Sequence, residues 1–117
     1  MNNINVTVSV VSNINIPKTL AKIDNDKFWT FAAKEWWRLI TPFTPMDTGT
    51  LFQSVDISPK TVFYKAPYAA SVYNGGHINF RKDKHPQATA QWDKAAIPTQ
   101  QDKLITALQK YADTNLI

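Results

Sequence analysis

The sequence predicts an α+β fold: a small antiparallel sheet, made of the N-terminal strand plus a hairpin, packed against a long helix and C-terminal helices. Three observations carry this expectation. Apolar and polar residues alternate from residue 4 to 16, apolar spacing turns helical from Phe28 onward, and helical spacing returns towards the C-terminus. At 117 residues the chain suits one α+β domain, 1–117, with one modest core.

Ile4, Val6, Val8, Val10, Ile14 and Ile16 occupy even positions, broken only by Ser12. Asn5, Thr7, Ser9, Asn13 and Asn15 occupy odd ones, with Val11 the exception. Period two turns one face to a core and the other to water, so a strand, or two strand segments meeting near Ser12, is expected before Pro17. An edge strand in a small domain has to be covered, and pairing with a neighbouring subunit is one way.

Asp24 and Asp26 stand where a helix N-terminus favours acceptors and negative charge. Phe28, Ala32, Trp36, Leu39 and Ile40 then form one helical stripe, with Trp29, Ala33 and Trp37 beside it and Thr30, Lys34 and Arg38 on the polar side. Pro42 ends this helix, because the residue before a proline disfavours the α region. The elbow PFTPMDTG follows, in which Asp47 suits an Asx turn and Gly49 a positive φ.

A hairpin is expected over 50–66, with Leu51, Val55 and Ile57 on one strand, Pro59 and Lys60 in the turn, and Thr61 to Lys65 returning. The part nearest Gly49 equally suits one helical turn. Pro67 opens a short helix, Tyr68 to Tyr73, stopped by Gly75 or Gly76. Residues 77–86 (HINFRKDKHP) form a polar basic loop. Ala88, Trp92, Ala95 and Ala96 then share a helical face that Pro98 is expected to break. Thr99 and Asp102 resemble a capping box for a last helix bearing Leu104, Ile105, Leu108, Tyr111 and Ala112.

Composition narrows the chemistry. The chain has no cysteine, which excludes disulfides, thiolate ligands and cysteine nucleophiles. No apolar run approaches the ~20 residues of a membrane helix, and no signal-peptide pattern opens the chain, so a soluble protein is expected. The net charge of +4 is spread along the sequence, and Glu35 is the one glutamate. Such an excess permits contact with nucleic acid or acidic surfaces without requiring it.

No glycine-rich phosphate loop, zinc-binding His pair or nucleophile elbow is present, so no enzyme is expected, and no cofactor or metal. His77, Asp83 and His85 read as exposed loop residues rather than metal ligands. Asp24 and Asp26 read as helix-capping groups rather than a catalytic pair, and Ser54 and Ser71 lack a partner histidine. Arg81, Lys82 and Lys84, with Phe80 able to stack, are the candidates for weak, non-specific DNA contact. Trp36 suits core packing, whereas Trp29 and Trp37 are candidate interface anchors, since Trp is enriched in that role.

The segment PMDTGTLFQSV has the Pro-x-Asp-Thr-Gly-x-Leu-x-x-Ser pattern of tailed-phage minor capsid and head–tail joining, or tail-completion, proteins, which this chain resembles. YAASVYNGG is similar to that family's Tyr-Ala followed by a Gly-rich stop, with Tyr73-Asn74 where an acidic residue is usual. HPQATAQWDKAA and the Trp-rich helix before Pro42 also fit, so the resemblance spans about Phe28 to Tyr111. It implies a virion structural protein, assembled in the host cytoplasm, acting in the neck as connector, stopper or tail-completion subunit. It further implies a homo-oligomeric ring, docking to portal, tail or other neck proteins, and neither catalysis nor cofactor. Its motif residues here are Asp47, Thr48, Gly49, Leu51, Ser54, Tyr68, Ala69 and Gly75. Of these, Asp47-Thr48-Gly49 would fix the turn that orients the hairpin against helix 28–41, and Tyr68 and Ala69 would pack the short helix on the sheet. A small nucleic-acid-binding protein using the loop 77–86 is the alternative.

Overall fold

The structure is a computed structural model that describes residues 6–12, 14–44, 55–65, 73–74 and 91–115. Its elements are strand β1 (Val6–Ser9), helix α1 (Lys18–Ala21), helix α2 (Asp26–Ile40), a 3-10 turn (Thr41–Phe43), strands β2 (Val55–Ser58) and β3 (Thr61–Tyr64), and helix α3 (Trp92–Asn115). The α+β expectation holds: a three-stranded antiparallel sheet in the order β1-β3-β2 lies against helices, one of them long and C-terminal.

Over Val55–Tyr64 the hairpin forms as its alternation predicts; residues 50–54 and 66 of the expected range lie outside the described residues. Pro59 and Lys60 make a two-residue turn, and Ile57 pairs with Val62. Lys60 has a φ of 66°, the left-handed region that a turn of this kind needs. Three contacts bolt this turn to the rest of the fold. The Lys60 N–H donates to the Trp29 carbonyl at 3.0 Å, its carbonyl accepts from Val10 at 2.9 Å, and its ammonium lies 4.7 Å from the Trp29 ring centre.

At its C-terminal end β1 stops at Ser9, short of the alternating run. A ladder lasts only as long as its partner, and β3 has four residues. After Ser9 the chain turns, with the Val11 N–H donating to the Ser9 hydroxyl at 3.2 Å. Val10 and Ile14, beyond the end of the strand, are buried too. The α1 turn that follows was not foreseen, because four residues are too few to show a period. It buries Leu20.

α2 buries Phe28, Trp29, Ala32, Ala33, Trp36, Leu39 and Ile40, the stripe expected of it. Its cap is Asn25, not Asp24 or Asp26: the Asn25 side chain accepts from the Phe28 N–H at 3.1 Å. Asp26 lies inside the first turn, where its charge suits the positive end of the helix. The helix stops at Ile40, and Pro42 falls in the 3-10 turn after it. There the Thr41 hydroxyl satisfies the Trp37 carbonyl at 2.6 Å and the Thr44 hydroxyl the Ile40 carbonyl at 3.2 Å.

The expected break at Pro98 does not occur, since α3 runs through it. An internal proline costs roughly 3 kcal/mol, because it removes an N–H and crowds the carbonyl four residues back. Here that carbonyl belongs to Lys94, and both Lys94 and Pro98 are exposed, so water can reach the freed acceptor. Tertiary contacts hold both halves. Trp92 and Ala96 are buried before the proline, Leu104 and Leu108 after it. Thr99 is no cap; its hydroxyl donates to the Ala96 carbonyl at 3.4 Å.

On an ideal helix the direction from Trp92 to Leu108 drifts by about 160°. The two ends of α3 accordingly face different partners. Trp92 meets Tyr64 and Tyr73 edge-on at 5.3 and 5.0 Å. Tyr111 meets Phe28 at 5.9 Å and stacks on Phe31 at 4.5 Å. The core is therefore continuous from the inner sheet face (Val6, Val8, Val62, Tyr64) through α2 to α3. Burying each large side chain of this kind contributes roughly 1.5–3 kcal/mol.

Candidate functional site

Two features of the described residues bear on function: the outer strands of the sheet, and a polar cluster beneath its end.

β3 is central, so β1 and β2 are both edges, and among the described residues neither pairs further outward. The two edges are flush. Val6, Tyr64 and Val55 share one row, and so do Thr7, Phe63 and Asp56, then Val8, Val62 and Ile57, then Ser9, Thr61 and Ser58. The even residues of β1 face the core, while Thr7 is exposed. Along β2, Val55 and Ile57 are half-buried and Asp56 and Ser58 exposed. The Asp56 carboxylate is met by the Lys65 ammonium at 3.3 Å, an exposed pair of little energetic weight.

Under the sheet end, the Tyr73 hydroxyl donates to the buried Asp93 carboxylate at 2.6 Å. The Gln91 N–H donates to the Tyr73 carbonyl at 2.9 Å, so two hydrogen bonds tie Tyr73 to the start of α3. Burial, with the nearby Asp93 carboxylate second, pushes the Tyr73 phenol well above its usual range. Tyr64 is fully buried beside Trp92, and burial raises its phenol likewise. The Trp92 indole and the Thr44 hydroxyl approach the Tyr64 oxygen. Neither the Tyr64 hydroxyl nor the Trp92 N–H, however, closes a hydrogen bond of good geometry. The hydrogen bonds of Tyr73 to Asp93 and Gln91, with the edge-on contacts of Trp92 with Tyr64 and Tyr73, fix the start of α3 against the sheet.

The expected interface tryptophans separate. Trp29 is corrected: it is 2% exposed and its indole N–H donates to the Ile23 carbonyl at 2.7 Å, so it belongs to the subunit's own core. A ring with one polar edge can be buried whole once that edge finds an acceptor. Trp37 is half-buried and packs against the core from outside. Trp36 is core, as expected. Arg81, Lys82 and Lys84, with the expected fold-motif residues Asp47, Thr48, Gly49, Leu51, Ser54, Tyr68, Ala69 and Gly75, lie outside the described residues.

Sequence reasoning missed Asp93. Its signal was an acid between Trp92 and Ala95 on a face otherwise read as apolar. Among the described residues no group of three His, Cys, Asp or Glu is placed to hold a metal ion, and no helix is long and apolar enough to cross a membrane. A shallow depression of about 480 Å³ runs along the outer side of α3, lined by Ile105, Thr106, Gln109, Lys110, Asp113 and Thr114.

The described residues form a three-stranded sheet packed on helices, with a Tyr73–Asp93 hydrogen bond at the start of α3. The family model described as minor capsid protein matches residues 8–112. The chain belongs to the minor capsid protein family. No curated protein and no solved structure gave a significant match. As a minor capsid protein the chain has a phage structural role and is a component of the virion. The match takes in the second half of β1, α1, α2, the hairpin and most of α3.

Proposed function

We propose that this minor capsid protein works at the head–tail neck, as a non-catalytic subunit that assembles into a homo-oligomeric ring and docks to portal, tail or other neck proteins. The observation that carries this reading is a sheet whose two outer strands, β1 and β2, differ in sequence and pair no further among the described residues. A ring needs a head-to-tail interface, made by two unlike patches on each subunit, whereas one self-complementary patch closes a dimer. β1 and β2 are two such patches on opposite sides of one rigid sheet. The order of the Asp47-Thr48-Gly49 elbow and the segments after it supports the neck assignment by resemblance.

Disrupting the gene in a phage that carries it tests the position in the particle. DNA-filled heads separated from finished tails are the expected product. Virions of normal form and infectivity would end the neck reading.

A further inference from the structure

We infer that α3 carries a releasable first segment, residues 91–97, which leaves the sheet as one unit while a shorter helix starting at Thr99 stays on α2. The inference is independent of the ring reading above.

This stretch contains two helix starts. The structure uses the first, at Trp92. The second is Pro98-Thr99-Gln100-Gln101-Asp102, where a hydroxyl stands three residues before a carboxylate, as in a capping box with Asp in place of Glu. With Thr99 as N-cap, Pro98 falls just outside the helix, where its missing N–H costs nothing. Ile97 then takes the extended backbone that a following proline favours. Asp102 falls in the first turn, where its charge suits the helix dipole. In the long form of α3 both groups are exposed, and the Thr99 hydroxyl donates to the Ala96 carbonyl at 3.4 Å. That bond is long, and release of the segment exchanges it for a cap.

Several features weaken the hold on the first segment. Pro98 cannot donate to the Lys94 carbonyl, so the helical ladder is already interrupted at the boundary. Gln91 enters the helix at a φ of 49°, a left-handed conformation that any residue with a Cβ resists. Trp92 and the Tyr64 it packs on bury an indole N–H and a hydroxyl without a well-formed hydrogen bond, a cost that water would relieve. Against these stand the Tyr73–Asp93 and Gln91–Tyr73 hydrogen bonds and the burial of Trp92 and Ala96. Beyond Pro98 the packing carries no such costs: Leu104 and Leu108 are fully buried, and Tyr111 stacks on Phe31. Local opening is drawn from the less stable end of a structure, and here that end has a defined boundary. Opening bares Trp92, Ala96 and Tyr64 and leaves the seam between α2 and α3 in place.

Native-state hydrogen exchange on the full chain, read by NMR over denaturant concentrations below the unfolding transition, tests this. The Ala95 N–H bonds to the Gln91 carbonyl, and Ala96 and Ile97 follow in the same helical pattern. These three amides should share one opening, exchange faster than those of Leu104 and Leu108, and depend less on denaturant. Thr99→Val keeps the side-chain shape and the helix propensity but cannot cap, so it should slow exchange at 95–97 about fivefold. Thr99→Ser still caps and should leave that exchange as it is in the unaltered chain.

Exchange of residues 95–97 only through the same global unfolding as Leu108 would overturn the inference. Protection that climbs smoothly across Pro98, alike in Thr99→Val and Thr99→Ser, would show ordinary fraying of a helix end and overturn it too.

Discussion

The Tyr73 hydroxyl and the Asp93 carboxylate lie 2.6 Å apart, twenty residues distant in sequence, and close the polar cluster that fixes the start of α3. Replacing Tyr73 by Phe leaves a buried carboxylate short of a donor. A loss of about 1–3 kcal/mol in unfolding free energy is expected, read from urea midpoints at constant slope. Full stability in Tyr73→Phe would remove the cluster from the account of α3.

Tyr64→Phe is the contrasting case. Its hydroxyl is buried without a well-formed hydrogen bond, so its removal also removes an unsatisfied polar group. Stability should change by less than about 1 kcal/mol, in either direction. A loss as large as that of Tyr73→Phe would mean that the Thr44 and Trp92 approaches are bonds in solution.

Both phenols have their pKa raised, chiefly by burial. A raised folded-state value favours the protonated form. Its contribution is fully present below the unfolded tyrosine value of about 10 and is lost as pH rises beyond it. Urea midpoints should therefore fall above about pH 10, and the fall should be shallower in a Tyr64→Phe/Tyr73→Phe double variant. At the acidic end, the Arg38 guanidinium hydrogen-bonded to Glu35 lowers that carboxyl. Its contribution, small because the pair is surface-exposed, is present above the ordinary glutamate range and lost as pH falls through the lowered value.

At the hairpin turn, Lys60→Gly and Lys60→Ala both remove the ammonium over Trp29, but only Ala keeps a Cβ at positive φ. Lys60→Gly is expected to be the more stable of the two by about 1 kcal/mol. Thermal melts of the pair decide this. Equal melting temperatures would show that the turn relaxes to another geometry without loss.

Pro98→Ala restores an N–H to the interior of α3. Since tertiary contacts already hold the helix on both sides, stability should rise by about 1–3 kcal/mol. A fall instead would show that packing depends on the bend a proline imposes, and helical content by circular dichroism would report the same change.

Much of the architecture was legible in local pattern. The spacing of Phe28, Ala32, Trp36, Leu39 and Ile40 states which side of α2 is buried, because a helix repeats every 3.6 residues whatever it packs against. Alternation around Pro59-Lys60 states the hairpin in the same way, and the order of motifs from Phe28 to Tyr111 led to the family that residues 8–112 match. Periodicity encodes a face, but not the partner that face will meet. Where β1 ended depended on β3, more than fifty residues away. Whether Trp29 pointed inward or out depended on an acceptor at Ile23 and a cover from Lys60. Whether Pro98 ended a helix depended on Trp92 and Leu108 being anchored on either side of it. Asp93 found its donor only when the fold brought Tyr73 to it. Each of these outcomes turns on groups remote in sequence meeting within hydrogen-bond or packing distance, and only the folded chain creates that distance.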